Sequence, residues 1–217
     1  YYSYKAKSTG AGFRIGKSFS EHDWAGLNYN FANIKISDVV TTTSYLKEET
    51  RVTSRISPTF IRDTRDDFLN PSTGSRHVVR FSLAGLGGAK FHKMSYETAH
   101  YWPIVGKLVG MLHGQISWAD GYGDESLPIF ERYYMGGPKS LRGYTLKNVG
   151  PKDVSGNPLG GNQSLLLNAE LQYPFTKGLR GFVFYDRGNL YGGGSNISTT
   201  STTWDLGNMR DSIGGGI

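Results

Sequence analysis

The sequence predicts an all-β fold, a transmembrane antiparallel β-barrel, of which the chain carries about ten consecutive strands. Three observations lead there. Apolar and polar residues alternate with a period of two, and no helical period is sustained anywhere. The alternating segments mostly run 10–14 residues; strands of soluble proteins average about five to six, and a tilted membrane span takes about 9–11. Short and long connections also follow each other in turn, as between the two sides of a membrane barrel.

Composition agrees. Of 217 residues 30 are glycine, aromatics make up 13%, and only 37% are hydrophobic. Mean hydropathy is −0.41. A conventional apolar core is therefore not expected, but a barrel with apolar residues turned to lipid and a polar lumen fits. Apolar stretches such as 108–112 and 165–167 are far too short for a spanning helix. Zero cysteines exclude a disulfide scaffold, Cys-ligated zinc and thiol catalysis. The chain opens without a basic-then-apolar leader, so no signal peptide is expected in it. The net charge of +6 comes without a compact Lys/Arg run, which argues for scattered solvated charge and against nucleic acid as a partner.

The elements follow in order. In 10–19, Ala11, Phe13, Ile15 and Phe19 oppose Gly12, Arg14, Gly16 and Ser18, with Lys17 interrupting the apolar face. In 24–36, Ala25, Leu27, Tyr29 and Phe31 oppose Gly26, Asn28 and Asn30. In 51–64, Val52, Ile56, Pro58 and Phe60 oppose Arg51, Thr53, Arg55 and Thr59. In 76–87, Val79, Phe81 and Leu83 oppose Arg80, Ser82 and Ala84. In 91–102, Met94, Tyr96 and Trp102 oppose Lys93, Ser95 and Glu97. Segment 107–120 sets Leu108, Leu112, Ile116 and Trp118 against His113, Gln115 and Ser117. The pattern is sharpest in 164–173, where Leu165, Leu167, Ala169, Leu171 and Tyr173 oppose Ser164, Asn168, Glu170 and Gln172. In 179–191, Leu179, Val183, Tyr185 and Tyr191 oppose Phe182, Phe184 and Asp186. Fragments 1–8 and 209–217 read as one more strand at each end. Tyr101, Trp102, Trp118, Tyr133, Tyr134, Tyr173 and Tyr191 lie near strand ends, as interfacial girdles would require. A soluble antiparallel barrel alternates equally well, but with shorter strands and a more charged outer face.

Connections 20–23, 65–75, 103–106 and 174–178 fall on one side of the sheet, and 38–50, 87–89, 121–161 and 192–208 on the other. The second side owns the three long loops and is assigned as extracellular; the tight 87–89 connection fits it least. No domain boundary is visible within 1–217, and the Gly/Ser/Thr tract 192–203 reads as a loop.

Loop 121–161 is too long for a simple connection. It contains Gly136, Gly137, Ser140, Leu141, Arg142, Gly143 and Tyr144 in close succession. Glycine pairs permit tight backbone paths, and an arginine at such a turn offers a planar fork for a carboxylate. If the apolar sets face lipid, Glu170, Phe184 and Asp186 all face the lumen. An in-folded loop would then set Arg142 against an acidic wall. The alternative is a solvated Arg142 with Glu170 and Asp186 merely lining a wet lumen.

Gly-Gly-x-x-Ser-Leu-Arg-Gly-Tyr at 136–144 resembles the loop motif of the BamA superfamily of outer-membrane assembly and translocation barrels. Asn168-Ala169-Glu170-Leu171 and Phe184-Tyr185-Asp186-Arg187-Gly188 resemble its two strand motifs. Asp63-Thr64-Arg65-Asp66, with Pro71 and Gly74 after it, resembles its periplasmic turn. These motifs, with Gly150-Pro151, are most similar to the assembly-factor branch. The resemblance implies a sixteen-stranded barrel preceded by POTRA domains. This chain would be its central part, without the first strands, the last two strands or the lateral gate. It implies Arg142 as the loop arginine and Glu170, Phe184, Asp186 and Gly188 as its lumenal contacts. It implies folding and insertion of other β-barrels, without cofactor or covalent chemistry. The partners implied are unfolded outer-membrane clients, outer-membrane lipids including lipopolysaccharide, and assembly-complex lipoproteins reached through the POTRA domains. Sister functions in the superfamily are two-partner secretion and autotransporter assembly; outside it stands a passive diffusion porin.

Other signals are weaker. His22, His77, His92, His100 and His113 lack metal-ligand spacing. Neither a Gly-x-Ser-x-Gly elbow nor a phosphate loop occurs. Asp120–Glu125 fails the EF-hand pattern. Asn162-Gln163-Ser164 and Asn196-Ile197-Ser198 match a glycosylation pattern that matters only in a eukaryotic secretory setting.

Overall fold

A computed structural model describes residues 4–39, 48–153, 156–176, 178–192 and 204–217. The Asn196-Ile197-Ser198 pattern and nearly all of the tract 192–203 lie outside the described residues. Among those described, nine strands form one antiparallel sheet in sequence order. They are β1 (Lys5–Ser18), β2 (Asp23–Ser37), β3 (Glu49–Asp63), β4 (Gly74–Ala84), β5 (Phe91–Val105), β6 (Leu108–Gly121), β7 (Gln163–Thr176), β8 (Leu179–Tyr191) and β9 (Arg210–Gly216).

The strand count is nine because 1–8 and 10–19 are not separate. β1 runs unbroken through Gly10 and Gly12, which pair with Ala32 and Asn30. A Cβ at Gly10 would stand 2.1 Å from the Phe31 carbonyl oxygen, so this glycine admits a neighbouring backbone and does not mark a turn.

The period of two becomes two faces. Phe13, Ile15, Phe31, Phe60, Phe81, Leu112, Leu171 and Val183 all stand exposed on one of them. An apolar surface of that extent would be costly in water and is what lipid takes up. The other face carries Arg51, Arg55, Lys93, Glu97, Glu170 and Asp186, tied into ion pairs.

The strand ends flanking 19–22, 64–73, 106–107 and 177–178 lie at one end of the sheet, and those flanking 38–48, 85–90, 122–162 and 192–209 at the other. The connection expected as a tight 87–89 turn is longer, 85–90. It folds back on β3, with the Ala89 amide donating to the Val52 carbonyl at 2.9 Å.

Buried apolar residues collect between the polar face and the long loop. Leu127 packs with Ala84, Ala89, Phe91 and Ala119; Met135, Leu141 and Val149 pack with Leu166 and Leu190; Ile129 and Leu159 pack with Ile36. Four girdle expectations are corrected here. Tyr101 shares the polar parity of Lys93 and Glu97 on β5. Tyr133 and Tyr134 belong to this loop and are half-buried: Tyr133 packs against the sheet, and the Tyr134 hydroxyl donates to the Ile129 carbonyl of the same loop at 3.2 Å. Tyr191 is buried beneath the residues that lead into β9: its ring lies 5.6 Å from Trp204 and its hydroxyl donates to the Asp205 carbonyl at 2.8 Å.

Candidate functional site

Loop 122–162 builds a platform that presents one arginine. Two antiparallel bridges, Tyr133 with Gly161 and Met135 with Val149, draw its two limbs together. Gly136 and Gly137 then take φ of +108° and +98°, a region that disfavours side chains. The Gly136 amide donates to the Ser140 hydroxyl at 3.0 Å, and the Gly137 amide to the Leu141 carbonyl at 3.2 Å. Leu141 is wholly buried beneath this turn and anchors it. Arg142 follows and points the opposite way, onto β7 and β8.

Every guanidinium nitrogen of Arg142 is engaged. Nε and Nη2 grip Asp186 bidentately at 2.7 and 2.5 Å, Nη1 reaches Glu170 at 2.5 Å, and the Arg142 amide donates to Asp186 at 3.1 Å. The Arg142 Cζ lies 3.7 Å from the Phe184 ring centroid and 5.8 Å from that of Phe182. Asp186 is completely buried, so a planar fork with an aromatic plate behind it replaces lost hydration. Pairing with Asp186 holds the guanidinium above its ordinary range, with burial opposing.

Residues around the fork complete the fit. Asn168 Nδ2 donates to the Ser140 carbonyl at 3.2 Å, and Tyr144 Oη donates to the Asp211 carbonyl at 3.0 Å. A Cβ at Gly188 would meet Met135 Sδ at 2.9 Å, so Gly188 leaves room for the loop. A Cβ at Gly214 would stand 2.7 Å from the Phe184 ring, so β9 lets that ring lie flat. Burial pushes the Tyr133 phenol up to about 12, so it stays a neutral donor, here to the Trp118 carbonyl at 3.3 Å.

The turn residues form a second, separate group at the opposite end of the sheet. Asp63 takes Arg65 Nε and Nη2 at 2.8 and 2.7 Å. Asp66 accepts the Ser72 and Thr73 amides at 2.9 and 3.1 Å and the Ser72 hydroxyl at 2.5 Å. Gly74 has φ +96°, and a Cβ there would stand 2.2 Å from the Thr64 carbonyl. Pro71 is buried, and its carbonyl accepts Arg180 Nη1 at 3.4 Å. Arg180 also donates to Gln172 Oε1, and Gln172 Nε2 donates to Glu170 at 2.6 Å. A string of hydrogen bonds thus runs from the turn to Arg142.

The structure brings Gly136, Gly137, Ser140, Leu141, Arg142, Gly143, Tyr144, Glu170, Phe184, Asp186 and Gly188 into one constellation. Asp63, Arg65, Asp66, Pro71 and Gly74 lie in the other. Sequence reasoning did not single out Arg180 or Glu131. Gln172 and Phe182 were placed on the faces of Glu170 and Asp186, but parity alone gives no reason to choose Gln172 over Ser164.

A strand-built sheet with an apolar outer face, a polar inner face and a loop docked on that inner face defines a transmembrane β-barrel segment. A model of the Omp85 superfamily domain matches residues 1–217. The chain belongs to the Omp85 superfamily.

The outer membrane protein assembly factor BamA of Nitratidesulfovibrio vulgaris is 27% identical over 226 residues, covering 99% of this chain and 28% of that protein. BamA of Neisseria meningitidis serogroup B is 31% identical over 144 residues, covering 61% of this chain and 18% of that protein. The sorting and assembly machinery component 50 homolog of Homo sapiens is 29% identical over 148 residues, covering 63% of this chain and 31% of that protein. The crystal structure of BamA from Haemophilus ducreyi lacking POTRA domains 1–3 superposes with a TM-score of 0.85 at 19% identity, covering 98% of this chain and 48% of that one. The chain spans less than a third of the length of these curated relatives.

Proposed function

We propose that this chain is the central part of the barrel of an outer-membrane protein assembly factor, which folds and inserts β-barrel proteins into the outer membrane. The observation that carries the reading is the Arg142 constellation. A loop arginine spends all its donors on two adjacent strands, Glu170 on β7 and Asp186 on β8. In this reading loop 122–162 is extracellular and folded into the lumen, where it braces the β7–β8 wall while strands elsewhere in the whole barrel part. BamA and component 50 relatives, both named for assembly, support the same reading.

In this reading the chain's residues position and brace. The chemistry of insertion is hydrogen-bond exchange, in which unpaired backbone groups at a barrel edge template an incoming strand while the bilayer thins locally. The clients are unfolded outer-membrane proteins. Outer-membrane lipids, including lipopolysaccharide, contact the apolar face, and accessory lipoproteins dock on periplasmic POTRA domains of the whole protein.

The whole protein, reconstituted in phospholipid vesicles, is expected to speed the folding of an added urea-unfolded β-barrel client. Arg142→Ala is expected to remove most of that acceleration. Client folding at the rate of empty vesicles, together with large and stable single-channel conductance, would overturn the reading in favour of a porin.

A further inference from the structure

The limb of the loop that precedes the Arg142 turn is held by a contact of reversed polarity. Glu131 is 8% exposed and lies in a short 3-10 turn, Ile129–Glu131. It receives Arg55 Nη1 at 3.1 and 3.2 Å and Lys93 Nζ at 3.2 Å. Lys93 Nζ also donates to the Glu131 carbonyl at 2.7 Å and sits 4.8 Å from the Tyr133 ring centroid. Six residues earlier, Glu125 accepts Arg51 Nη2 at 2.9 Å, and Arg51 and Arg55 share the polar face of β3.

The wall is therefore cationic where β3 and β5 face the loop, at Arg51, Arg55 and Lys93. It is anionic where β7 and β8 do, at Glu170 and Asp186. The loop carries the complement in the same order: Glu125 and Glu131 first, Arg142 after. Turned end for end, it would set Glu131 against Asp186 and Arg142 against Arg55. Like charges in partly dry surroundings penalise that arrangement strongly.

We infer that Glu131, gripped by Arg55 and Lys93, is a second latch on the lumenal loop, able to open while Arg142 stays pinned. Glu131 is a positioning residue: it fixes which way the loop lies and holds the leading limb. Two features separate the latches. They share no residue, and contacts without shared partners behave independently. They are also unequal. All three guanidinium nitrogens of Arg142 donate, whereas Arg55 Nε is buried without a hydrogen-bond partner. A buried polar group left unpaired weakens the contact that strands it, so the Glu131 latch is the one that opens first. This inference rests on the loop lying in the lumen, but not on the assembly function.

Hydrogen–deuterium exchange of the whole protein in vesicles tests it, read on peptides covering 127–135 and 139–146. Glu131→Gln is expected to speed exchange in 127–135 about tenfold, with 139–146 changed by less than about twofold. Arg142→Ala is expected to do the reverse. Arg55→Glu combined with Glu131→Arg is expected to return 127–135 toward the wild-type rate. Both peptides accelerating together in either single variant, or neither responding to Glu131→Gln, would overturn the second latch. So would failure of the exchanged pair to restore protection. Heat-modifiable electrophoretic mobility shows which variants have folded; should Glu131→Gln not fold, the exchanged pair alone decides. Client folding plays no part in this readout, so loss of the assembly reading leaves the test standing.

Discussion

Two arginine–aspartate forks in this molecule are nearly the same object chemically. Arg142 holds Asp186 through Nε and Nη2 at 2.7 and 2.5 Å, and Arg65 holds Asp63 through the same atoms at 2.8 and 2.7 Å. Their settings differ in two ways. Arg142 and Asp186 are 44 residues apart and Arg65 and Asp63 only two. The Asp186 side chain is 0% exposed and that of Asp63 29%. The first fork joins a distant loop to a wall and leaves a buried charge stranded if it breaks. The second stiffens a turn that its own backbone already shapes, and water reaches its carboxylate. Bond geometry alone does not rank them; burial and the length of chain they close do.

The largest expected effect follows from the buried fork. Removing one partner of a buried ion pair costs about 3–5 kcal/mol in other proteins, and a wet lumen lowers that to about 2–4 kcal/mol for Arg142→Ala. Thermal unfolding of the whole protein in detergent would show it. Asp186→Asn should cost nearly as much, and the double variant little more than either alone, since all three remove one contact. Trypsin should then cut within 122–162 in the variant and spare it in the wild type. Equal protection in both would mean that apolar packing of Leu141 holds the loop unaided.

Glu170→Gln should come next, at about 1–2 kcal/mol. The amide keeps a hydrogen bond to Arg142 Nη1 and leaves the Asp186 fork whole. It also perturbs the string through Gln172 and Arg180 to Pro71. Faster amide exchange in 64–73 in this variant would show that the string transmits; exchange unchanged there would confine the effect to the loop.

Much of this was legible in the sequence, for identifiable reasons. Alternation of side chains is fixed by strand geometry, so the faces of Leu165–Tyr173 and the shared polar-face parity of Glu170 and Asp186 could be read residue by residue. Fragments 1–8 and 10–19 read as two strands, yet Gly10 at their junction only admits the neighbouring backbone of β2, and β1 runs through it. Tyr133, Tyr134 and Tyr191 misled because an aromatic near a strand end serves a bilayer interface or a docked loop equally well, and only tertiary packing decides. Glu131 was invisible because its partners, Arg55 and Lys93, precede it by 76 and 38 residues and share no local pattern with it. Arg142 stood out because glycines flank it closely on both sides.

The short-range fork should respond less, because Asp63 is 29% exposed and keeps Arg76 at 3.8 Å when Arg65 is removed. Arg65→Ala is expected to cost less than about 1 kcal/mol in global stability, with its effect confined to amide exchange of 64–73. A loss matching that of Arg142→Ala would break the contrast between the two forks, and would mean that Arg65 bears load from elsewhere in the barrel.

Asp66, beside that fork, offers the smallest effect and a sharp sign. Burial pushes its carboxyl up, but the Ser72 hydroxyl and the Ser72 and Thr73 amides outweigh this and bring it to about 2. The unfolded chain would titrate near about 3.9. A depressed carboxylate stabilises fully above its unfolded value, and that contribution disappears as pH falls from about 4 through about 2. Asp66 is exposed, so solvent screening leaves at most about 1 kcal/mol, too little to unfold the barrel. The local consequence is measurable, because Phe68 and Leu69 are 77% and 80% exposed on the same turn. Pepsin is active across this window and favours such a bond. Cleavage at Phe68–Leu69, divided by cleavage in Asp66→Asn at each pH, should rise as pH falls and approach one near pH 2, where the wild-type carboxylate also loses its charge. A ratio flat across the window would mean that the Ser72 and Thr73 amides hold the turn without the carboxylate, and that Pro71 and Gly74 alone set its shape.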